Sequence, residues 1–287
     1  MTDPHIFDFD GTVPSMGTGY TTMMYDSADV ERGFEDIAAC RYDGAEIGLG
    51  KIQAAGSDTV ERALDETGLD LYCVMSDWLE TEAAVKRVEG DLQMIADLGA
   101  EFIGLLPPQR HRHDDATVEQ WVGRLADAAT EVGVTPLVHH HGATHVEQPE
   151  ETRRLLDAVN DLELLWDSAH HYPYGEHFPD GDVSDGVERF ADDIAYVHLK
   201  DVAPPTGFDD VRDSLTEGEF HLDNVINYFR SFTDLGEGVL NFEGLSDALE
   251  EVGYDGHCTI EIENQTEKAL VHAKENADYW RAANDGR

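Results

Sequence analysis

The sequence predicts an α/β protein folded as a (β/α)8 TIM barrel, and three observations carry that expectation. Short apolar runs rich in β-branched and aromatic residues recur through the 287 residues, each followed by an amphipathic stretch of helical period. Gly68, Gly99, Gly133 and Gly253 stand where a helix would stop before the next run. No Gly-rich phosphate loop follows the first run, which disfavours a doubly wound open sheet.

In chain order, strands are expected at 5–10, 44–48, 69–76, 101–106, 136–141, 162–167, 194–201 and 258–263. The helical stretches are 27–40, 58–67, 81–98, 117–131, 150–159, a short turn at 187–192, then 245–252 and 267–283. Asp58 with Glu61, and Thr117 with Gln120, have the spacing of a capping box. The one long connection, 202–242, holds an amphipathic piece at 222–232 and has the length of a lid or a subunit contact. With no linker, repeat or low-complexity tract, a single TIM-barrel domain over 1–287 is expected.

Asp and Glu number 61 against 19 Lys and Arg, a formal net charge of −42. The acids are spread over every helical stretch, so they repel one another in low salt. At about 1 M salt the Debye length is only ~3 Å, and that repulsion is screened. This is the composition of a halophilic, haloarchaeal-type cytoplasmic protein. It excludes nucleic acid as a partner. No apolar run has the length of a membrane span, and Met1-Thr2-Asp3-Pro4-His5 lacks a leader pattern, so no membrane partner is expected. Cys40, Cys73 and Cys258 are odd in number and far apart, as in reduced, buried thiols.

Chemistry is expected at the C-terminal ends of the strands. Leu137-Val138-His139-His140-His141-Gly142 is the densest such end: alternation puts His139 and His141 on one face and His140 on the other. The remaining ends offer Asp8 and Asp10, Glu46, Ser76 and Asp77, Asp167 with His170, His198 with Lys200, and Glu261 with Glu263. Mixed imidazole and carboxylate donors suit Mn²⁺, Co²⁺, Fe²⁺ or Zn²⁺. Each residue also has a plainer reading. A strand histidine is commonly a hydrogen-bonded core group, Asp167 fits a turn cap, and Lys200 fits an ion pair with Asp201. Lys200 is nonetheless one of only five lysines, and an unpaired Glu261 or Glu263 inside a barrel mouth would need a cation. His111, His113, His145 and His177 fall in loops and read as surface. A competing motif, Asp8-Phe9-Asp10-Gly11-Thr12, resembles the nucleophile loop of haloacid dehalogenase-type phosphatases, with Gly181-Asp182 and Asp185 imitating their late acidic motif. Only two apolar residues precede Asp8, and Gly181-Asp182 follows a polar loop, so the barrel reading is preferred.

Four stretches together resemble the xylose isomerase-like barrel family of sugar isomerases, epimerases and inosose (2-keto-myo-inositol) dehydratases. They are His139-His140-His141-Gly142, Asp167-Ser168-Ala169-His170, His198-Leu199-Lys200-Asp201, and Tyr254-Asp255-Gly256 running into Ile260-Glu261, with Gly236-Glu237-Gly238 also matching. The resemblance runs from about residue 83 to the C-terminus. It implies one divalent ion, Mn²⁺ or Co²⁺ foremost with Mg²⁺, Fe²⁺ or Zn²⁺ compatible, held by His139, Asp167, His198 and Glu261. It implies a sugar or inosose as small-molecule partner, possibly in a homo-oligomer, and chemistry through an enediolate. Triple histidine followed by glycine is most like the dehydratase branch, since many epimerases carry Glu where His139 stands. The alternative is a ketose isomerase or epimerase on the same barrel. Glu261 or Glu263 would be the base, with Lys200, His141 and His170 giving protons or oxyanion support.

The charge generates a direct prediction. The unfolding midpoint rises steadily from millimolar to molar KCl, and an unchanged midpoint would remove the salt-adapted reading.

Overall fold

A computed structural model describes residues 16–219 and 221–284. Eight parallel strands close into a barrel: β1 Gly17–Thr21, β2 Gly44–Gly48, β3 Asp70–Trp78, β4 Phe102–Leu106, β5 Thr135–His139, β6 Glu163–Asp167, β7 Ile194–Leu199 and β10 His257–Ile260. Between the last two lie the short strands β8 Asp201–Val202 and β9 Phe232–Thr233, paired antiparallel outside the barrel. Around the ring the order is β1, β2, β3, β4, β5, β6, β7, β10 and back to β1.

The expected barrel is therefore present, with one relocation. The place expected for residues 5–10 is taken by Gly17–Thr21, which pairs with both β10 and β2. Residues 5–10, with Asp8 and Asp10 of the phosphatase-like motif, lie outside the described residues. The sequence Gly-Thr-Gly-Tyr-Thr has no apolar run because its inward positions have no room for side chains. A Cβ at Gly17 or Gly19 would overlap His257, Thr259 or Tyr72.

Alternation then sorts every strand into two chemistries. Val138, Leu164, Trp166, Val197, Leu199, Cys258 and Ile260 face outward into the main core under the helices. Tyr72, Cys73, Met75, Phe102, Leu137, Leu165 and Tyr196 form a smaller apolar floor inside the barrel. Two residues further along β5, β6 and β7 the inward positions become His139, Asp167 and His198. The inside is apolar below and ionisable above.

The helices follow the usual signals. Asp115–Val132 buries Val118, Trp121, Val122, Leu125, Ala126 and Ala129 at helical spacing, and Asp114 caps it by accepting from Thr117 N–H. Thr81 caps Glu82–Asp97 in the same way. The capping box expected at Asp58 does not form; the helix Ser57–Thr67 starts one residue earlier, with Gly56 at its N-cap and no side-chain cap. A helix at Leu49–Ala55 was not anticipated. All three cysteines are free and buried, and among the described residues no helix is long and apolar enough to cross a membrane.

The long connection builds a cap over the barrel mouth from two helices, Phe208–Thr216 and Leu222–Arg230. Tyr228 is fully buried beneath it, stacked on Phe208 at 5.9 Å and lying so close to Gly142 that a Cβ there would overlap its ring. Asp201 anchors the return of the chain. Its carboxylate accepts from the N–H groups of Val202, Gly236, Gly238 and Leu240 at 2.7 to 3.1 Å. Gly238 is obligatory there, since a Cβ would overlap Asp201 and the Val202 carbonyl. Asp201 therefore does not pair with Lys200.

Replacing Asp201 by Ala leaves four amide donors without their acceptor, so denaturant unfolding should show a loss of about 3 kcal/mol or more. A loss under ~1 kcal/mol would mean the anchor is dispensable.

Candidate metal centre

The ends of β5, β6, β7 and β10 bring His139, Asp167, His198 and Glu261 together. One donor atom from each lies within 4.8 Å of all the others, and all four residues are buried. The residues expected to move protons or support an oxyanion, Lys200, Glu263, His141 and His170, border this quartet.

His198 is held from both sides. Its Nε2–H donates to Glu46 Oε2 at 2.8 Å, which leaves Nδ1 facing Glu261 Oε2 at 3.3 Å and Asp167 Oδ2 at 3.7 Å. A carboxylate on one ring nitrogen fixing the tautomer that offers the other is the usual support of a metal-binding imidazole. Glu46 stood among the strand ends in the sequence, but nothing there tied it to His198 across the barrel. Asp167 has a double duty. Its Oδ1 accepts from the N–H groups of Ala169 and His170, capping the turn as the plainer reading expected, while Oδ2 points into the quartet.

The fit to a metal rests on atoms that the protein leaves unsatisfied. His139 Nδ1, Asp167 Oδ2 and His198 Nδ1 are buried without a hydrogen bond, although Asp167 Oδ2 has an ion-pair partner in Lys200 at 3.2 Å. Other buried atoms, such as Tyr20 Oη and Trp166 Nε1, also lack a partner, but these three belong to residues of one cluster and are metal-ligand types. The donors are two imidazoles and two carboxylates, a set suited to a divalent ion.

Lys200 closes the rim. Its fully buried ammonium pairs with Glu261, sits 2.6 Å from Glu263 Oε1 and 3.2 Å from Asp167 Oδ2, and lies over the Phe232 ring at 4.8 Å. Burial opposes its charge, yet Asp167, Glu261 and Glu263 hold its pKa well above the ordinary range. Burial likewise opposes charge on His198, but Glu46 and Glu261 raise its pKa, and burial also raises Glu46, so that pair keeps a proton between them. Burial would raise Glu261, but Lys200 and His198 hold it well below its usual value. Glu263 behaves differently: burial outweighs Lys200 and pushes it up to about 7.

The neighbouring imidazoles stay neutral because burial lowers their pKa, His141 to about 4 and His170 well below its usual value. Gly142 N–H donates to His170 Nδ1 at 3.2 Å and the Tyr228 hydroxyl lies 3.1 Å from the same atom. Nδ1 is thus the acceptor for Gly142 N–H, while Nε2 turns toward the Lys200 ammonium at 3.4 Å. His139, His141 and His170 are near enough to form a second donor group, which shares His139 with the quartet. His141 donates Nδ1–H to the Gly142 carbonyl at 2.8 Å and leaves Nε2 free. His140 lies on the opposite face, accepting from Asp167 N–H at 2.9 Å and so locking the end of β5 to that of β6. Of the loop histidines, His111 and His177 are exposed as expected. His113 and His145 are partly buried, against the Glu80 carbonyl at 3.0 Å and Asp115 at 2.9 Å. Tyr228 and Phe229 of the cap were not anticipated at the site, because an amphipathic stretch does not reveal which neighbour it covers.

Comparison with known proteins places the fold in a family. The family described as Xylose isomerase-like TIM barrel matches residues 31–283. The rhizopine catabolism protein MocC of Rhizobium meliloti is 30% identical over 272 residues, covering 85% of this chain and 78% of its own. An inosose dehydratase of Lacticaseibacillus casei is 28% identical over 264 residues, covering 83% and 84%. Among solved structures, the 3-keto-D-glucoside 4-epimerase YcjR of E. coli superposes with a TM-score of 0.69 at 16% identity, over 93% of this chain and 100% of its own. The IolI protein with a bound zinc atom superposes at 0.67 and 15%, over 93% and 96%.

Ion binding should be visible without any substrate. Mn²⁺ at about a hundred times its dissociation constant adds ~2.7 kcal/mol to the unfolding free energy. The His139→Ala and Asp167→Asn variants should lose most of that gain, and an equal gain in both would place the ion elsewhere.

Proposed function

The chain belongs to the xylose isomerase-like TIM barrel family, and on that premise we propose that it is a metal-dependent lyase dehydrating a polyhydroxy ketone of the inosose kind. The reading is carried by one observation: two imidazoles and two carboxylates converge in the barrel mouth with three buried atoms unsatisfied. Similarity to inosose dehydratases at 26–28% identity over most of both chains supports the substrate class.

His139, Asp167, His198 and Glu261 hold the divalent ion, which when bound supplies Lewis-acid polarisation of a ketone oxygen. Glu263, a partly buried carboxylate beside Lys200, takes the proton α to the ketone. Lys200, 2.6 Å from Glu263, stabilises the carboxylate before transfer and donates to the enediolate or the departing hydroxyl. His170 and His141 present ring nitrogens to substrate hydroxyls. The net change is loss of a β-hydroxyl as water.

A sugar epimerase or ketose isomerase on this barrel is the second reading, favoured by the fold of YcjR. Epimerisation exchanges protons on opposite faces of one carbon and is served by two opposed carboxylates. Here Glu261 and Glu263 follow the same strand, β5 contributes His139 instead, and Glu46 is engaged with His198. That asymmetry favours a one-face elimination. The charge of −42 supports a salt-rich cytoplasm as the setting.

The test incubates the Mn²⁺-loaded chain in molar KCl with a panel of inososes and ketoses in D₂O. An ultraviolet-absorbing enedione product, with Glu263→Gln slowing α-proton exchange by about 10²-fold or more, is expected. A product of unchanged mass assigns the isomerase reading instead, and normal turnover by Glu261→Gln and His198→Ala would defeat the metal-centred account.

A further inference from the structure

Beside the metal quartet, on the far side of His141, the barrel mouth contains a second cavity of about 310 Å³. Its walls are mainly apolar, Trp78 from the end of β3, Val225 and Phe229 from the cap helix Leu222–Arg230, and Ala143 after β5, with Glu80, Gln109 and Thr144 as its polar side chains beside His141. His141 is the shared wall: Trp78 meets its ring edge-on at 5.0 Å, Phe229 lies at 5.8 Å, and His139 of the quartet is 5.3 Å behind it. A bare polyol would find few partners there, since sugar hydroxyls need donors and acceptors in numbers, and burying them without partners is costly.

Two further observations point to an occupant. Trp78 keeps 41% of its surface exposed, a large aromatic left open at the mouth of a site rather than in the core. Ala143 holds φ at 65°, a left-handed conformation that costs a non-glycine residue energy and is found at ligand-contacting turns. Among the described residues the lining contains one carboxylate and no lysine or arginine, which disfavours a phosphate or carboxylate at this end of the ligand.

We propose that this cavity is a specificity subsite for an uncharged apolar substituent, so that the substrate is a polyhydroxy ketone bearing an O-alkyl or O-aryl group rather than the bare ketone. This rests on the reading of the quartet as the centre that acts on the ketone. The ring or alkyl group packs between Trp78 and the Val225–Phe229 face, and the ketone end lies across His141 toward the quartet. Trp78, Val225 and Phe229 are the residues that set the preference. The cap helix supplies two of them, so the same residues that cover the mouth also read the substituent.

The test measures dissociation constants by calorimetry on the Mn²⁺-loaded chain in molar KCl, with 2-keto-myo-inositol and its mono-O-benzyl ethers as probes. kcat/KM is measured wherever turnover occurs. At least one ether should bind about tenfold tighter or more than the parent. Trp78→Ser and, independently, Val225→Asp should bring that ratio close to one, with near-ultraviolet circular dichroism confirming that each variant folds. An ether that binds no tighter than the parent, or a ratio that survives both variants, overturns the proposal. So does tighter binding of an amine-bearing ligand than of the neutral ether, which would give the site to Glu80. Tight ether binding without turnover of any probe retires the lyase reading and leaves the subsite standing, so the two failures are separable.

Discussion

Four carboxylates, Glu46, Asp167, Glu261 and Glu263, are brought together near the mouth of one barrel, and the arrangement around them follows from having to offset their charge. Burying an unpaired carboxylate costs several kcal/mol even after relaxation. Only one side chain there, Lys200, is an obligatory cation, and it is shared among Asp167, Glu261 and Glu263. His198 divides itself between Glu46 on one side and Asp167 with Glu261 on the other. That leaves a negative excess facing three unsatisfied buried atoms, the condition under which a divalent ion is bound rather than tolerated.

The remainder of the upper barrel serves to keep this arrangement rigid. Asp167 caps the turn that carries His170, His140 clamps β5 to β6, and the Ser168 hydroxyl donates to the Lys200 carbonyl at 2.8 Å. Beyond Lys200 the chain turns outward through Asp201, whose carboxylate organises the loop that leads back toward β10. After β10, the Asn264 amide donates to the carbonyls of Phe229 and Phe232 at 2.8 and 2.7 Å. The loop holding Glu261 and Glu263 is thereby tied to the cap that carries the subsite residues.

Much of this was legible in the sequence, and the physical reasons separate what was from what was not. Strands β2 to β7 and β10 announce themselves as apolar runs because their outward residues lie under helices, and the polar residues that end them mark the mouth. Alternation alone placed His139 and His141 inside and His140 outside, as the structure has them. The first strand was hidden because its inward positions must be small; hydropathy has no signal for Gly17 and Gly19, which exist to leave room for Tyr72 and Thr259. The partnership of Glu46 with His198 spans 152 residues and rests on barrel closure rather than on local pattern. Cap residues Tyr228 and Phe229 were visible as one apolar face without an address. The resemblance named the four converging donors, and the unsatisfied nitrogen and oxygen atoms now give a physical ground for treating them as a set.

The claim that most depends on these atoms is that two imidazoles and two carboxylates of this quartet bind one divalent ion. Electron spin echo measurements on the Mn²⁺-loaded chain address it directly. One ion per chain coupled to two imidazole nitrogens, falling to one in His139→Gln, is the predicted result. Coupling to no imidazole nitrogen, or two nitrogens persisting when His139 is removed, would contradict it.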